Sequence, residues 1–198
     1  GSLRLARANC TTLLMVGAGA MAPHLIRAHI SVHPQIKRIE VWNRSSDRRD
    51  RLIASLRPEF NIVATDDLQR STSDADLISC ATMTQQPLIH GEWLSPGCHL
   101  DLVGAFTLDM READDTAMRR GQVFVDSRKT TIGEIGELTI PIKNGTLREQ
   151  DVVADHYQLS GGDHPGRQDQ DEITIFKNGG GGHLDLMTAR YIYDKCRL

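Results

Sequence analysis

The sequence TTLLMVGAGAMA occupies Thr11–Ala22 and joins a buried-strand pattern to a glycine-rich turn. The apolar run Leu13–Val16 predicts a strand, and the six residues after it follow the pattern G-x-G-x-x-A, a fingerprint of dinucleotide binding. In that fingerprint Gly17 permits a sharp turn, Gly19 leaves room for a pyrophosphate, and Ala22 lets the next helix pack closely on the sheet. A plain strand–turn–helix is the alternative, but the helical pattern that follows favours a bound phosphate at the helix N-terminus.

Composition narrows the class of protein. The chain has 198 residues, 39% hydrophobic and 25% charged, which is typical of a globular protein with one large domain or one domain and an appendage. The net charge of −3 argues against a nucleic-acid or membrane surface, and no apolar run is long enough to span a bilayer. Four scattered cysteines form no C-x-x-C pair, so the eight histidines have no cysteine pair to complete a Cys/His metal site. We therefore predict reduced thiols, no metal and a cytoplasmic location.

Strand and helix patterns alternate along most of the chain. The predicted strands are Leu13–Val16, Ile36–Asn43, Asn61–Ala64, Asp76–Thr82, His99–Gly104, Gln122–Asp126 and Asp171–Lys177. Helices are predicted after the fingerprint and at Ser46–Leu56, Asp66–Ser71 (with Asp66 as its cap), Met110–Arg120 and Leu184–Lys195. Between Lys129 and Gly166 glycine and charge dominate, and no regular element is predicted. The alternation predicts an α/β fold, namely a Rossmann-type doubly wound parallel sheet with helices on both faces.

The same pattern divides the chain into three segments. Residues 1–10 are predicted to be a linker or a helix end from an upstream domain, and residues 11–178 an NAD(P)-binding Rossmann domain. Residues 179–198 are predicted to form a glycine hinge and a C-terminal helix. Because the chain opens on Gly1-Ser2 rather than on Met, we expect the natural N-terminus to lie further upstream.

The end of the second strand indicates which nicotinamide cofactor fits. NAD-binding units place Asp or Glu there, where the carboxylate binds the ribose 2′-OH. Here the strand ends in Asn43-Arg44-Ser45, and Arg48 follows. A guanidinium can bind a 2′-phosphate through two hydrogen bonds, whereas a carboxylate would repel it. We therefore predict NADP(H), with NAD(H) possible, and with a solvated Arg44 as the alternative interpretation.

Beyond the fingerprint, the sequence resembles the ornithine cyclodeaminase/mu-crystallin family along nearly its whole length. The segments that carry the resemblance are VGAGAMAPHLIRAH, VWNRS, ADLISCATMTQQPLIHGEWLSPGCHLDLVGA, MREADD, VFVDSR, GEIGEL and ITIFKNGGGGHLDLMTARYIY. The resemblance implies NAD(P)-linked chemistry on cyclic imines, ketimines or amino acids, and a homodimer. It also implies an N-terminal substrate domain, which is absent from this chain and would supply the catalytic groups, including a lysine as proton donor or carboxylate anchor.

The resemblance also assigns cofactor contacts to positions of this sequence. The pyrophosphate loop corresponds to Gly17, Gly19, Ala20 and Met21, and the 2′-phosphate site to Asn43, Arg44 and Ser45. The loops along the cofactor and under the nicotinamide correspond to Thr82 and Met83, and to Val103, Gly104 and Ala105. The segment near the ring corresponds to Lys177, Asn178 and Gly179, with Asn in place of the family's Ser.

One departure from the family pattern separates two activities. Cyclodeaminases carry an acidic residue after V-G-A, and here Phe106 stands in that place, while Asp109 lies three residues further on as a weak candidate. Since Phe106 cannot move a proton, the sequence favours NADPH-dependent reduction of a small cyclic imine. Such a reaction converts Δ1-pyrroline-2-carboxylate or Δ1-piperideine-2-carboxylate to proline or pipecolate. Ornithine cyclodeamination, which gives proline and ammonia, and a non-catalytic NADPH-binding, crystallin-like protein are the alternatives.

Overall fold

A computed structural model describes residues 1–196 of the chain. Within them, eight strands form one sheet in which every pairing is parallel. The strands are β1 (Thr12–Val16), β2 (Arg38–Trp42), β3 (Ile62–Ala64), β4 (Leu77–Cys80), β5 (His99–Leu102), β6 (Gly121–Val125), β7 (Val152–Asp155) and β8 (Ile173–Lys177). The predicted parallel α/β sheet is confirmed.

The helices of the described residues fill the connections between the strands. They are α1 (Ser2–Leu5), α2 (Ala22–Val32), α3 (Ser46–Leu56), α4 (Leu68–Asp74), α5 (Asp115–Arg120), α6 (Arg128–Thr131), α7 (Gly136–Lys143), α8 (His156–Gly161) and α9 (Gly182–Cys196), with short 3-10 turns at Gly91–Trp93 and Glu149–Asp151. None of these helices has the length and apolar character needed to cross a membrane.

The strand order is β3-β2-β1-β4-β5-β8-β6-β7. The chain leaves β1 toward β2 on one side and returns to β4 on the other, so the direction of winding reverses between β1 and β4. Ligands of open parallel sheets bind in the crevice at such a reversal, beyond the carboxyl ends of the strands. The core lies on both faces of the sheet, and the middle strands β4 and β5 have no exposed residue.

The segment Lys129–Gly166 differs from the sequence prediction because it contains α7, β7 and α8. The strand β7 has only four residues, VVAD, at the edge of the sheet, so its pattern was too short to recognise. Proline inside α7, at Pro141, weakened the helical signal there. The prediction of an irregular segment was therefore wrong.

Two predicted helix limits are also wrong. The helix expected from Met110 begins at Asp115, because the backbone N–H groups of Glu112 and Ala113 donate to the buried Glu137 carboxylate instead of forming a helical turn. The cap expected at Asp66 is provided by Asp67, whose carboxylate accepts from the Arg70 N–H.

Candidate active site

A cleft of about 640 Å³ opens at the carboxyl ends of β1, β2 and β4. The three strand ends are held side by side, because the Gly17 N–H donates to Trp42 O and the Ala81 N–H donates to Val16 O, both at 2.9 Å. The residues that line the cleft are Gly17, Ala18, Gly19, Trp42, Asn43, Arg44, Ser45, Arg48, Ala81, Thr82, Met83, Thr84, Gln85, Gln86 and Leu88. The cleft thus lies at the reversal of the strand order, where a ligand is expected.

The glycines of the first crossover have different environments. Gly17 has a φ of +107°, and a Cβ on it would lie 2.6 Å from Ala81 O, so a side chain is excluded by both conformation and space. A Cβ on Gly19 would have no neighbour within 4 Å, so this glycine leaves open space above the loop. Helix α2 starts at Ala22, directly behind the turn.

Unused amide groups lie at this turn, directly before α2. Within residues 1–196, the backbone N–H groups of Gly19, Ala20 and Met21 donate no hydrogen bond. Three consecutive free donors at the start of an 11-residue helix are the arrangement that binds a phosphate. The residues present therefore fit the pyrophosphate of a dinucleotide.

The end of β2 is bonded to the glycine loop through Asn43. Its Oδ1 accepts from the Ala18 N–H at 3.1 Å, and its Nδ2 donates to Ser45 O at 2.8 Å. Ser45 in turn caps α3, since its Oγ accepts from the Arg48 N–H. The structure therefore brings three of the predicted residues, Asn43, Arg44 and Ser45, to one wall of the cleft beside Arg48.

Positive charge at this wall is not compensated. Within the described residues, the guanidinium groups of Arg44 and Arg48 form no ion pair and no hydrogen bond. The carboxylate of β2, Glu40, is buried elsewhere and bonded to Arg70 and Ser71. The wall can therefore receive an additional anionic group, and it presents no acid to a ribose hydroxyl.

The opposite wall is held by a residue that sequence reasoning assigned only to a helix start. Glu112 has no exposed surface, and its Oε1 accepts from the Thr82 N–H at 2.7 Å and the Thr82 hydroxyl at 2.8 Å. Its Oε2 accepts from the N–H groups of Gly104 at 2.7 Å and Ala105 at 3.3 Å. Two of the loops predicted to contact the cofactor are therefore joined by one carboxylate.

Two further ionisable side chains are fully buried behind this wall. The Glu137 carboxylate accepts from the N–H groups of Glu112 at 2.7 Å and Ala113 at 3.0 Å. Burial, and then the charge of Glu112, raises the pKa of Glu137 to about 7. Lys177 donates to Leu102 O at 3.3 Å and to Ala105 O at 2.8 Å. These contacts could not be predicted from the sequence, because each joins residues that are distant along the chain.

Other predicted residues line a second cavity of about 580 Å³. Its wall includes Met21, Val103, Ala105, Phe106, Asn178 and Gly179. The Asn178 Nδ2 donates to Asp101 Oδ1 at 2.9 Å, and the His29 ring nitrogen lies 3.2 Å from Asp101 Oδ2. Burial alone would raise the pKa of Asp101, but the His29 hydrogen bond and charge outweigh it, so this pKa is lowered. This cavity therefore contains a carboxylate that stays ionised.

Asp109, the weak catalytic candidate, lines neither cavity. Its carboxylate is exposed and accepts from the Thr107 hydroxyl and from Gln85 Nε2. The Thr107 hydrogen bond is the largest of the effects that lower its pKa. The structure therefore places Asp109 outside both walls, bonded to Gln85 of the cleft. In the described part of the chain, no group of three or more His, Cys, Asp or Glu side chains could hold a metal ion.

Comparisons with known proteins agree with this geometry. The Δ1-pyrroline-2-carboxylate reductase of Paracoccus denitrificans (strain Pd 1222) is 49% identical over 193 residues, covering 97% of this chain and 61% of that protein. A structure of Thermococcus litoralis Δ1-pyrroline-2-carboxylate reductase in complex with NADH and L-proline has a TM-score of 0.94 at 28% identity, covering 98% of this chain and 60% of that one. The iminosuccinate reductase of Paracoccus denitrificans in complex with NAD+ has a TM-score of 0.87 at 30% identity, covering 98% and 59%.

This chain thus spans 61% of the length of the Paracoccus relative. Residues 3–198 match the model of one family, and this matched range includes every residue that lines the cleft. On the strength of that match, and of the 49% identity to the Paracoccus reductase, this chain belongs to the ornithine cyclodeaminase/mu-crystallin family.

Proposed function

We propose that this chain is the cofactor-binding part of an NADPH-dependent reductase of small cyclic imines. The substrate class is Δ1-pyrroline-2-carboxylate or Δ1-piperideine-2-carboxylate, and the product is proline or pipecolate. The observation that carries the proposal is the free amide donors of the glycine loop beside the unpaired Arg44 guanidinium. The names of the relatives support the reaction class, since one of them, at 49% identity, is a Δ1-pyrroline-2-carboxylate reductase.

The chain's own residues bind and orient the cofactor. The amides of Gly19 to Met21 bind the pyrophosphate, and Gly19 lets it approach the backbone. Arg44 and Arg48 bind the 2′-phosphate, and Asn43 keeps the end of β2 against the glycine loop. When bound, NADPH supplies the hydride that reduces the C=N carbon.

The loop after β5 contributes no proton-transferring side chain to the wall of the second cavity. Phe106 is 58% exposed and lines the second cavity at the position where an acid would stand. A protonated imine mainly needs a hydride and correct placement, so an apolar side chain at this position is compatible with reduction. Loss of ammonia from ornithine needs an acid–base group, and this chain places none there.

NADP(H) specificity is tested by calorimetric titration of NADPH and NADH into the 198-residue chain and its Arg44→Asp variant. We expect native protein to bind NADPH at least about tenfold more tightly than NADH, because a guanidinium–phosphate pair is a strong charge-assisted hydrogen bond. The variant should reverse this preference, because its carboxylate repels the 2′-phosphate and can accept from the ribose hydroxyl.

The matched control is Arg119→Asp, which makes the same change of charge at an exposed site of α5 outside the cleft. It should leave both affinities unchanged. If Arg44→Asp binds NADPH as tightly as the native chain does, the assignment of the 2′-phosphate site is wrong. The two solved neighbours that carry NADH and NAD+ make NAD(H) the alternative cofactor.

The homodimer implied by the family resemblance and the cytoplasmic location predicted from the scattered cysteines also stay proposals for the full-length natural protein. Sedimentation of that protein tests the first. Helix α9 is consistent with a contact of that kind, since Leu186, Met187, Tyr191 and Ile192 are each more than half exposed.

A further inference from the structure

The buried carboxylate of Glu112 connects two loops that leave neighbouring strands. Thr82 follows β4, Gly104 and Ala105 follow β5, and both loops donate to the same side chain. The loops also touch directly, since a Cβ on Gly104 would lie 1.9 Å from Thr82 O. Glu112 therefore fixes the distance between the ends of β4 and β5 on the cleft side of the sheet.

Only a carboxylate satisfies all four donors. Each oxygen faces one loop, and each receives at least one backbone N–H. An amide of the same shape would turn its NH2 group toward one of the loops, whichever way it rotates. In that buried site the amide NH2 group would face the N–H donor of one loop. The hydrogen bond would be lost, and the N–H of that loop would have no acceptor.

The position of Glu112 is itself fixed by a second buried carboxylate. Glu137 accepts from the N–H groups of Glu112 and Ala113 and thereby holds the segment before α5 in place. Neither glutamate contacts either cavity, because neither side chain belongs to their walls. Any effect of Glu112 on a ligand must therefore pass through the loops.

In a dinucleotide site of this topology, the first crossover binds the pyrophosphate and the end of β2 binds the adenosine ribose. The other half of the cofactor then extends over β4 and β5, the strands whose loops Glu112 joins. We propose that Glu112 is a positioning residue that preforms the wall for the nicotinamide half of the dinucleotide. The inference rests on the proposed function, since it requires that the cleft binds NAD(P)H.

The test is the Glu112→Gln variant of the 198-residue chain, which keeps the volume of the side chain. We expect its dissociation constant for NADPH to rise by about tenfold, the effect of one lost hydrogen bond in a wall that must be ordered on binding. Adenosine 2′,5′-bisphosphate ends before the nicotinamide half, and its affinity should change by less than about threefold. The two ligands therefore separate a displaced wall from a damaged protein.

The matched control is Glu40→Gln, which alters another buried carboxylate with several hydrogen bonds. Glu40 accepts from Ser71 and Arg70 and lines neither cavity. This variant should lose stability in urea unfolding but bind NADPH within about twofold of the native chain, because its partners lie outside the cleft.

Three outcomes would overturn the inference. The first is native affinity for NADPH in Glu112→Gln, and the second is an equal loss of both ligands, which would indicate damage to the whole cleft. The third is the same loss of NADPH affinity in Glu40→Gln, which would trace the effect to general destabilisation. Failure of the native chain to bind any nicotinamide dinucleotide would instead contradict the proposed function, and the native titration shows this independently.

Discussion

At the residue scale, the buried histidine of β5 shows how the sheet interior controls a charge. His99 has no exposed surface, and its Nδ1 lies 2.9 Å from the Thr174 hydroxyl of β8. Its Nε2 is buried without a hydrogen-bond partner among the described residues. Burial lowers the pKa of His99 from 6.5 to about 3, so the ring stays neutral in the folded protein.

This shift predicts a specific acid sensitivity. Between pH 6.5 and about 3 the unfolded chain binds a proton at His99 that the folded chain does not bind, so the free energy of unfolding falls as the pH is lowered through that window. The substitution His99→Asn keeps a polar group for Thr174 and removes the titration. We expect its loss of stability across the window to be smaller than that of native protein, by on the order of 4 kcal/mol. Urea unfolding at several pH values measures this, and parallel curves for the two proteins would contradict it.

Residues differ in how far the sequence reveals their role. The places of Gly17, Asn43 and Arg44 in the cleft wall were predictable, because they follow from a local pattern, a strand end next to a crossover. Those of Glu112 and Glu137 were not, because their hydrogen bonds join loops 7 to 30 positions apart, and no spacing rule encodes such pairs. A fully buried carboxylate is recognisable only after the surrounding donors are in place.

At the element scale, the crossover from β1 to α2 combines two glycines with different purposes. Gly17 is required by the fold, since it has a positive φ and no room for a Cβ, whereas Gly19 has room for one. The distinction follows from the backbone and not from the fingerprint, in which both positions are simply glycine. The sequence predicted the strand, the turn and the helix, but it could not separate these two requirements.

Alanine substitutions separate them. Gly17→Ala should lower the free energy of unfolding by at least about 2 kcal/mol, because it forces a strained backbone and a clash with Ala81 O. Gly19→Ala should change stability by less than about 1 kcal/mol and weaken NADPH binding by tenfold or more, because the methyl group occupies the space of the pyrophosphate. Urea unfolding of both variants measures the change in stability, and calorimetric titration measures the change in NADPH affinity. Native affinity in Gly19→Ala would show that no phosphate approaches this loop.

The elements that the sequence did not predict share one property. β7 and α7 lie in the connection between β6 and β8, and they are short or interrupted by proline. Tertiary packing stabilises them, since Leu138, Leu147 and Val152 belong to the same core cluster as the middle strands. Local propensity therefore underestimates structure where burial supplies most of the free energy.

At the scale of the whole molecule, the proposed cofactor cleft needs a shorter stretch of chain than the proposed reaction does. The residues that line the cleft all lie within 17–88, whereas the chain covers 61% of the length of the Paracoccus reductase. The second cavity exposes apolar side chains beside its polar ones, since Phe106 and Leu3 are each more than half exposed. Cofactor binding is therefore testable on this chain, and imine reduction on the full-length natural protein.

For that protein we expect NADPH oxidation, followed at 340 nm, with Δ1-pyrroline-2-carboxylate or Δ1-piperideine-2-carboxylate and no ammonia release from ornithine without added reductant. The reason is that the loop after β5 contributes Val103, Ala105 and Phe106 to the wall of the second cavity, and none of these can transfer a proton. The Phe106→Asp variant is the matched comparison, because it places at position 106 the acidic residue that cyclodeaminases carry there. Ammonia release by the native protein would establish the cyclodeaminase alternative, and tight NADPH binding without turnover would establish the non-catalytic one.

The place of β8 in the sheet has a consequence for biosynthesis. β8 is formed by Ile173–Lys177, and it is the strand that joins β5 to β6. Because the chain leaves the ribosome N-terminus first, β1–β5 can pair before β8 has emerged. Until then β6 and β7 can pair only with each other. Until β8 inserts between them, β5 and β6 each present an open strand edge, the kind of surface at which chaperone binding and aggregation compete. Slow insertion of β8 would therefore prolong a stage in which two strand edges that the folded protein covers are exposed.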